Sequence, residues 1–143
     1  MKLTDTLKEK VEKLINSASS AIISTVDEDG YPHTRAMLVP RKIDGLKRFY
    51  FTTNTSSQKV KHLQNSSKSC IYFYDSASYV GVMLIGTAVV LEDEASKKMI
   101  WRTGDEIYYS KGVCDPDYCV LMFTAKTLRF YSDFNPRNFE IAD

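Results

Sequence analysis

The chain has 143 residues, which is typical of one domain, so we expect a single domain over residues 1–143. Hydrophobic residues make up 43% and charged residues 26%, which excludes a disordered or fibrous protein and predicts a core that needs no disulfide or metal. With 19 basic and 18 acidic residues the net charge is +1, so no general attraction to nucleic acid or to a membrane surface is predicted.

The first residues and the cysteines bear on the compartment. Residues 1–14 lack the continuous apolar core of a secretory signal, and no apolar run approaches the roughly 18 residues of a membrane span. Cys70, Cys114 and Cys119 contain no CxxC pair, so we expect neither a disulfide framework nor a zinc site, but small apolar side chains in or near strands. These features favour a cytoplasmic protein.

The first element predicted is an amphipathic helix over residues 5–17. Thr6, followed by Glu9, has the form of a capping box near its start. The apolar residues of the helix recur at intervals of three and four, and they are Leu7, Val11, Leu14 and Ile15. Two more helices are predicted, at about 56–65 and at about 93–101.

Apolar and β-branched segments bounded by turns predict six strands. They lie at 21–26, 31–40, 49–53, 69–75, 79–91 and 118–131. Short turns such as Asp44-Gly45 join them and helices do not alternate with them, so we predict a mainly β (α+β) fold, an antiparallel barrel with peripheral helices. The two longest strands suit a curled barrel, with Gly81 and Gly86 as bulges or bends.

Common motifs of nucleotide binding and of catalysis are absent from the sequence. No GxGxxG follows a strand, and neither a Walker loop nor a GxSxG elbow occurs. His33 and His62 have no companion at the spacing of metal ligands, so we predict no metal site. A hydrolytic triad stays open, because its members need not be close in sequence.

Residues 49–63, an aromatic strand followed by a hydroxyl-rich turn and a helix, form the first candidate site. Thr55, with Gln58 three residues later, has the form of a capping box, which places Ser57 and Lys59 in the first helical turn. Backbone N–H groups at a helix start attract anions and a lysine adds positive charge, so phosphate is the expected ligand. The alternative is an ordinary capped helix with a solvated lysine.

Arg35 is the second candidate. The two-residue period of a strand places it on one face with His33, Met37 and Val39, among mostly apolar side chains. An arginine there needs a partner: its planar fork suits a phosphate, and the alternative is a salt bridge to an internal carboxylate. Later in the chain, residues 108–117 form a predicted loop that either covers a ligand or only connects two elements.

Several motifs, taken in order, identify a family. They are Asp29-Gly30-Tyr31-Pro32, Arg35-Ala36-Met37-Leu38, Asp44-Gly45, Phe51-Thr52-Thr53, and the set Ser57, Gln58, Lys59 and Leu63. With them the chain resembles, from about residue 21 to residue 131, the pyridoxamine 5'-phosphate oxidase-like family of FMN-binding split barrels, and in particular its short general stress protein branch. The resemblance implies a six-stranded antiparallel split β-barrel that binds FMN at the interface of a homodimer.

The same resemblance implies which residues bind FMN. They are Arg35 and Lys59 at the phosphate, Ser57 and Gln58 beside them, Ala36, Met37 and Leu38 along the isoalloxazine edge, Thr52 and Thr53 at the ribityl chain and ring, and Tyr131 from the second subunit. The implied function is that of an FMN-dependent oxidoreductase of unknown small-molecule substrate. No residue is singled out as a catalytic acid or base.

Two departures from the family pattern argue against efficient pyridoxamine 5'-phosphate oxidase activity. Pro40 stands where those oxidases have a substrate-binding lysine, and Arg137-Asn138-Phe139 stands where they have an arginine, any residue and a histidine. We therefore expect Pro40 and Phe139 to leave an apolar approach to the ring, suited to a small neutral molecule or a reduced nicotinamide.

Two other functions stay open. One is a module that stores or senses FMN, or scavenges it, without turnover. The other is a binder of deazaflavin or haem. Haem is disfavoured because neither His33 nor His62 has the sequence context of an axial ligand.

Overall fold

A computed structural model describes residues 2–142. The helices are α1 (Asp5–Ser17), α2 (Gln58–Asn65) and α3 (Glu94–Ile100), followed by two short 3-10 helices at Asp105–Ile107 and Gly112–Cys114. The strands are β1 (Ala21–Val26), β2 (Pro32–Met37), β3 (Lys42–Asp44), β4 (Arg48–Asn54), β5 (Lys68–Asp75), β6 (Val80–Leu91), β7 (Tyr118–Ser132) and β8 (Asn135–Glu140). The predicted mainly β architecture with peripheral helices is confirmed.

The strands form one antiparallel sheet in the order β2-β1-β5-β6-β7-β4-β3. The first half of β7 pairs with β4, and its second half pairs with β8. Within residues 2–142 the sheet does not close, because β2 and β3 end it on opposite sides. All six predicted strands are present, so the additions to the prediction are β3 and β8.

The two unpredicted strands have weak sequence signals. β3 has only three residues, and β8 has the polar sequence NPRNFE with a proline at its second position. Proline removes a backbone donor and is tolerated mainly in edge strands, where one side of the strand needs no partner. Among the strands of residues 2–142, β8 pairs with β7 only, apart from a single bridge between Glu140 and Lys2, so Pro136 lies in an edge strand.

Helix α1 has the predicted bounds but a different cap. Thr4 precedes the first helical residue, and its Oγ1 accepts a hydrogen bond from the N–H of Leu7 at 3.3 Å. The predicted cap at Thr6 is therefore wrong, since Thr6 lies inside the first turn. The face of α1 that carries Val11, Leu14 and Ile15 is buried against the sheet.

Phenylalanine side chains from three strands fill the core under α1. They are Phe49 and Phe51 on β4, Phe73 on β5, and Phe123 and Phe130 on β7. The rings of Phe49 and Phe123 meet edge to face, with centroids 6.1 Å apart. Burial of one such side chain stabilises the fold by about 1.5–3 kcal/mol, so this cluster is a major part of the core that holds the strands together.

The two glycines of β6 serve different purposes. The pairing between β6 and β7 shifts register between Ile85 and Gly86, which confirms the predicted bulge there. At Gly81 the pairing is regular, so of the predicted bulge or bend the bulge is absent there. A Cβ at Gly81 would overlap the hydroxyl of Tyr72, so a larger residue would displace the end of that side chain.

The three cysteines are free. Cys119 is buried in β7 and Cys70 is half-buried in β5, as expected of small side chains in strands, whereas Cys114 is exposed in the second 3-10 helix. Among residues 2–142, no helix has both the length and the apolar character that a membrane crossing requires.

Candidate functional site

Two cationic side chains, Arg35 on β2 and Lys59 on α2, interact at one side of the sheet. Burial lowers the pKa of the Arg35 guanidinium, and burial followed by the charge of Arg35 lowers the pKa of the Lys59 amine. Neither side chain has a carboxylate partner within residues 2–142, so the alternative of a salt bridge for Arg35 is wrong there. Half-buried cations without a counter-ion are costly, and an anionic ligand would offset that cost.

The position of Arg35 is set by β1. The register of the β1–β2 hairpin pairs Ile23 with Arg35 and Thr25 with His33, which makes Thr25 and Arg35 diagonal neighbours on one face. Arg35 Nη1 donates to Thr25 Oγ1 at 2.7 Å and to the carbonyl oxygen of His33 at 3.0 Å. The guanidinium therefore has one nitrogen tied to the protein and the rest of its fork available to a ligand.

The start of α2 lies beside these cations and carries an unpaired hydroxyl. Ser57 occupies the N-cap position with extended backbone angles, yet its side chain caps no N–H group. Its Oγ is buried and has no hydrogen-bond partner in residues 2–142. An N-cap serine normally accepts from the first helical turn, so both this hydroxyl and the first N–H groups of α2 are left for an external partner.

The predicted capping box of Thr55 and Gln58 is wrong. The Thr55 hydroxyl donates to the carbonyl oxygen of Pro116 at 3.0 Å, and Gln58 is exposed. Asp117 holds the turn instead: its Oδ1 accepts from the N–H of Ser56 and its Oδ2 from the amide of Asn54, both at 2.8 Å. Asp117, which directly precedes β7, therefore holds the turn, and no side chain of residues 2–142 caps the start of α2.

A cleft of about 200 Å³ opens next to Lys59. It lies between the end of β2, the end of β4, the start of α2 and the loop that follows α3. The residues that line it are Ala36, Met37, Leu38, Thr52, Thr53, Asn54, Lys59, Tyr108 and Tyr109. Six of the ten residues that the sequence assigned to FMN therefore line one cleft.

Four of the predicted residues do not line that cleft. Arg35 and Ser57 lie next to Lys59, and Gln58 is exposed at the start of α2. Tyr131 lies on β7 opposite Gly81, with its ring 6.3 Å from that of Tyr79. Within this chain Tyr131 is separate from the cleft, and its assignment to the site of a second subunit stays a prediction.

Sequence reasoning missed the two tyrosines of the cleft. Tyr109 is almost fully buried, and burial raises the pKa of its hydroxyl to about 12. Its ring packs 4.8 Å from that of Tyr118 on β7, while Tyr108 next to it is exposed. The loop that was expected either to cover a ligand or only to connect elements thus supplies one wall of the cleft.

A buried ion pair fixes the start of this loop. Arg41, which follows β2, donates from Nη1 and Nη2 to the two carboxylate oxygens of Asp105 at 2.9 and 2.8 Å. Asp105 also accepts from the N–H of Arg102 at 2.8 Å, and the hydrogen bonds from Arg41 lower the pKa of its carboxyl. The partners are 64 residues apart in sequence, and no local pattern signals such a pair.

Two larger clefts within residues 2–142 lack this chemistry. One of about 290 Å³ between α1 and the ends of β6 and β7 contains Lys10 and Lys13, but Asp75 and Asp133 also line it. A larger one of about 560 Å³ near the chain ends combines lysines with Glu140. Each therefore provides its own counter-ions, unlike the cleft at Lys59.

The expected apolar approach of Pro40 and Phe139 does not form. Phe139 on β8 is 2% exposed, belongs to the main core and pairs with Leu128 of β7. Arg137 on the same strand lies over the ring of Phe130, at 5.8 Å from its centroid, and donates to Ser132 Oγ at 3.0 Å. Phe139 of this strand packs in the core, and neither Pro40 nor Phe139 lines the cleft.

Structural comparison shows close similarity to general stress proteins. The fold matches the crystal structure of a protein related to general stress protein 26 from Clostridium acetobutylicum with a TM-score of 0.89 and 40% identity, covering 96% of each chain. It matches general stress protein 26 from Bacillus anthracis with a TM-score of 0.77 and 21% identity, covering 94% of this chain and 98% of that one.

Sequence comparison gives a consistent result. The chain is 31% identical over 88 residues to a pyridoxine/pyridoxamine 5'-phosphate oxidase from Agrobacterium fabrum, a match that covers 62% of this chain. It spans only 42% of that relative's length. The model of the pyridoxamine 5'-phosphate oxidase family matches residues 7–132. The chain therefore belongs to the pyridoxamine 5'-phosphate oxidase family.

Proposed function

We propose that this protein binds FMN and that Arg35, Lys59 and Ser57 hold its phosphate. The observation that carries the proposal is that, within residues 2–142, two cations without a counter-ion lie beside a buried hydroxyl without a hydrogen-bond partner at the start of α2. A phosphate dianion supplies acceptors for all three groups and for the N–H groups of the helix start. The residues present thus fit the phosphate of the cofactor.

The cleft beside this site fits the rest of FMN. Thr52 and Thr53 offer hydroxyl groups to the ribityl chain, and residues 36–38 offer backbone groups and apolar side chains to the ring. FMN, when bound, supplies hydride or electron transfer, and the protein supplies position and electrostatics. Burial raises the pKa of Tyr109 to about 12, so its hydroxyl is protonated at neutral pH, as a tyrosine of ordinary pKa also is, and can donate a hydrogen bond to a ligand in the cleft.

We propose that the reaction is an oxidation or reduction of a small molecule, with a reduced nicotinamide as a suitable electron donor. Efficient oxidation of pyridoxamine 5'-phosphate is not expected. Pro40 offers no charge to a substrate phosphate, and Phe139 lies in the core where the family pattern has a substrate-binding histidine. The mainly neutral walls of the cleft suit an uncharged or aromatic reactant better.

We also propose a cytoplasmic homodimer. On β6, Ile85 and Val89 are 44% and 42% exposed, and Tyr79 just before the strand is 63% exposed. Apolar side chains grouped on one sheet face favour burial against a second copy. The position of Tyr131 beside Tyr79 would place it at such an interface, from which it reaches the flavin of the partner. Three free cysteines suit a reducing compartment.

The test is a flavin titration followed by a reduction assay. The flavin-free protein is titrated with FMN and with riboflavin, and the FMN-loaded protein is then mixed with NADH or NADPH while its absorbance is recorded. We expect tighter binding of FMN than of riboflavin and loss of the flavin bands on reduction. Stable flavin bands would favour a storage or sensing module, and a Soret band from the purified protein would overturn the flavin assignment.

A further inference from the structure

A buried hydroxyl connects Arg35 to a histidine that has no place in the proposed cofactor contacts. Thr25 on β1 is fully buried, and its Oγ1 lies 2.7 Å from Arg35 Nη1 and 2.7 Å from Nδ1 of His62 on α2. His62 is itself 7% exposed. The side chain that would bind phosphate is thus joined through one hydroxyl to the helix whose start would bind the same phosphate.

The direction of these hydrogen bonds follows from the donor inventory. A guanidinium can only donate, so Thr25 Oγ1 accepts from Arg35. The single proton of the Thr25 hydroxyl is then available to Nδ1 of His62, which accepts it when the imidazole is neutral and carries its proton on Nε2. Burial, then the charges of His33 and Arg35, lower the pKa of His62 and favour that neutral form.

The groups around His62 keep a carboxylate away from Arg35. The ring of His33 on β2 lies 4.6 Å from the ring of His62, and its Nε2 lies 2.8 Å from Oδ2 of Asp27. Oδ1 of Asp27 accepts from the N–H groups of Asp29 and Tyr31 in the β1–β2 turn. The nearby acid is therefore engaged by His33 and the turn, and Arg35 is positioned by the neutral Thr25 hydroxyl instead.

We propose that Thr25 and His62 are positioning residues that fix the guanidinium of Arg35 and thereby set the preference of the site for a phosphorylated flavin. This inference rests on the proposed FMN function. The Thr25 oxygen and the His33 carbonyl hold Nη1, so the orientation of the guanidinium is restricted and Nη2 and Nε are left to donate to a ligand. An arginine held this way loses little side-chain freedom when the phosphate binds.

The test compares Thr25→Val, which keeps the shape but removes the hydroxyl, with Thr25→Ser, which keeps the hydroxyl. Dissociation constants for FMN and riboflavin are measured by flavin fluorescence for each variant. We expect Thr25→Val to weaken FMN by about ten-fold with riboflavin unchanged, since one buried hydrogen bond to a charged group is lost, whereas Thr25→Ser keeps the wild-type ratio. The matched control is Thr6→Val on the exposed side of α1, which should change neither constant.

A second pair of variants tests the histidine. His62→Asn retains an acceptor near the position of Nδ1, and His62→Leu removes it. We expect the ratio of riboflavin to FMN dissociation constants to fall in His62→Leu and to recover in His62→Asn. In the wild-type protein, nitrogen NMR of the imidazole should show Nδ1 without a proton at neutral pH, a measurement that does not depend on any variant folding.

The outcomes separate this inference from the proposed function. If wild-type protein binds riboflavin as tightly as FMN, the phosphate site is wrong and the inference fails with it. If wild-type protein prefers FMN and a folded Thr25→Val variant prefers it equally, only the positioning role is overturned. A proton on Nδ1 of His62 at neutral pH would also overturn it, because Thr25 would then lack an acceptor for its own proton.

Discussion

At the scale of single residues, the candidate site is defined by groups that the fold leaves unsatisfied. Arg35 and Lys59 share one sign of charge, and Ser57 has a buried oxygen without a partner. Natural folds leave few such groups unpaired unless a ligand or a functional need accounts for them. The presence of all three groups at one helix start is stronger evidence for a ligand site than any single sequence motif.

Removal of either cation should weaken FMN selectively. A charge-assisted hydrogen bond contributes roughly 1.5–3 kcal/mol, so Arg35→Ala or Lys59→Ala should raise the Kd for FMN about ten- to a hundred-fold. The affinity for riboflavin, which lacks the phosphate, should change little in either variant. Lys61→Ala on the exposed side of α2 is the matched control and should bind both flavins as the wild type does. Equal FMN affinity in wild type, Arg35→Ala and Lys59→Ala would refute the phosphate site.

Lys59 should also reduce the stability of the flavin-free protein. Burial and Arg35 disfavour its charged form, so Lys59→Met should raise the Tm of the flavin-free protein by about 2–4 °C if the charge costs ~1 kcal/mol. The folded-state pKa of Lys59 lies below its ordinary value of 10.5, so the advantage of the variant should shrink as pH rises through that lowered pKa and the wild-type lysine loses its charge.

Thermal melts of both proteins, without and with FMN, measure this effect. With excess FMN the wild type should have the higher Tm of the two proteins, because it binds FMN more tightly than Lys59→Met and is stabilised more by the ligand. A Lys59→Met variant that melts below the flavin-free wild type would mean that Lys59 supports the fold rather than the ligand.

At the scale of elements, the loop after α3 is the part of the site that depends most on long-range contacts. The Arg41–Asp105 pair is nearly buried, with side chains 9% and 6% exposed, and it fixes the loop that carries Tyr108 and Tyr109 into the cleft. Removal of one partner of a buried pair leaves an uncompensated charge and costs about 3–5 kcal/mol. The pair therefore acts as the anchor of one cleft wall.

Asp105→Ala should loosen this loop and lower the Tm. Limited proteolysis should show faster cleavage in residues 102–117 than in the wild type, and bound FMN should give partial protection. Since Arg41 lowers the pKa of Asp105, the stability that the pair contributes is present at neutral pH and is lost only as pH falls through that lowered pKa. Asp44→Ala, at the exposed end of β3, is the control; equal cleavage in both variants would contradict the anchoring role.

The same elements show which parts of the fold and site sequence could predict. Strands such as β6 and β7 have long apolar runs, and their local pattern was sufficient. The cap predicted for α2 is wrong because Asp117, far away in sequence, binds the turn before the helix and Thr55 donates to the Pro116 carbonyl. Tyr108 and Tyr109 were missed for the same reason, because only tertiary contacts place their loop at the cleft. Local motifs identified the residues of the proposed phosphate site, whereas the remaining wall of the cleft depends on the long-range ion pair of Arg41 and Asp105.

At the scale of the whole molecule, two residues of this chain depart from the family pattern for binding pyridoxamine 5'-phosphate, and we expect its activity to differ accordingly. FMN-loaded protein supplied with oxygen should form pyridoxal 5'-phosphate from pyridoxamine 5'-phosphate slowly or not at all, because a dianionic substrate finds no lysine at Pro40 and no histidine at Phe139. A substrate dianion without its cations loses several kcal/mol of transition-state stabilisation, more than a thousand-fold in rate. Turnover of about one per second or faster would refute this expectation.

The exposed apolar face of β6 is the proposed dimer interface. Light scattering should give about twice the chain mass of 16.3 kDa, and Ile85→Asp should shift the protein towards the monomer, because a carboxylate would be buried at the apolar face of β6. If Tyr131 of one subunit contacts the flavin of the other, the monomeric variant should also bind FMN more weakly. Under the same proposal, Tyr131→Ala should weaken FMN and riboflavin equally, since the proposed contact is with the ring and not with the phosphate.

These variants distinguish an interface from a complete site in one subunit. Lys126→Asp, an exposed change on β7 near Ile85 that removes no apolar side chain, controls for the added carboxylate and should remain dimeric. A wild-type monomer that binds FMN with full affinity would show that the cleft between β2, β4 and the loop after α3 is sufficient alone. A dimer whose FMN affinity is unchanged by Tyr131→Ala would confine the second subunit to a structural role.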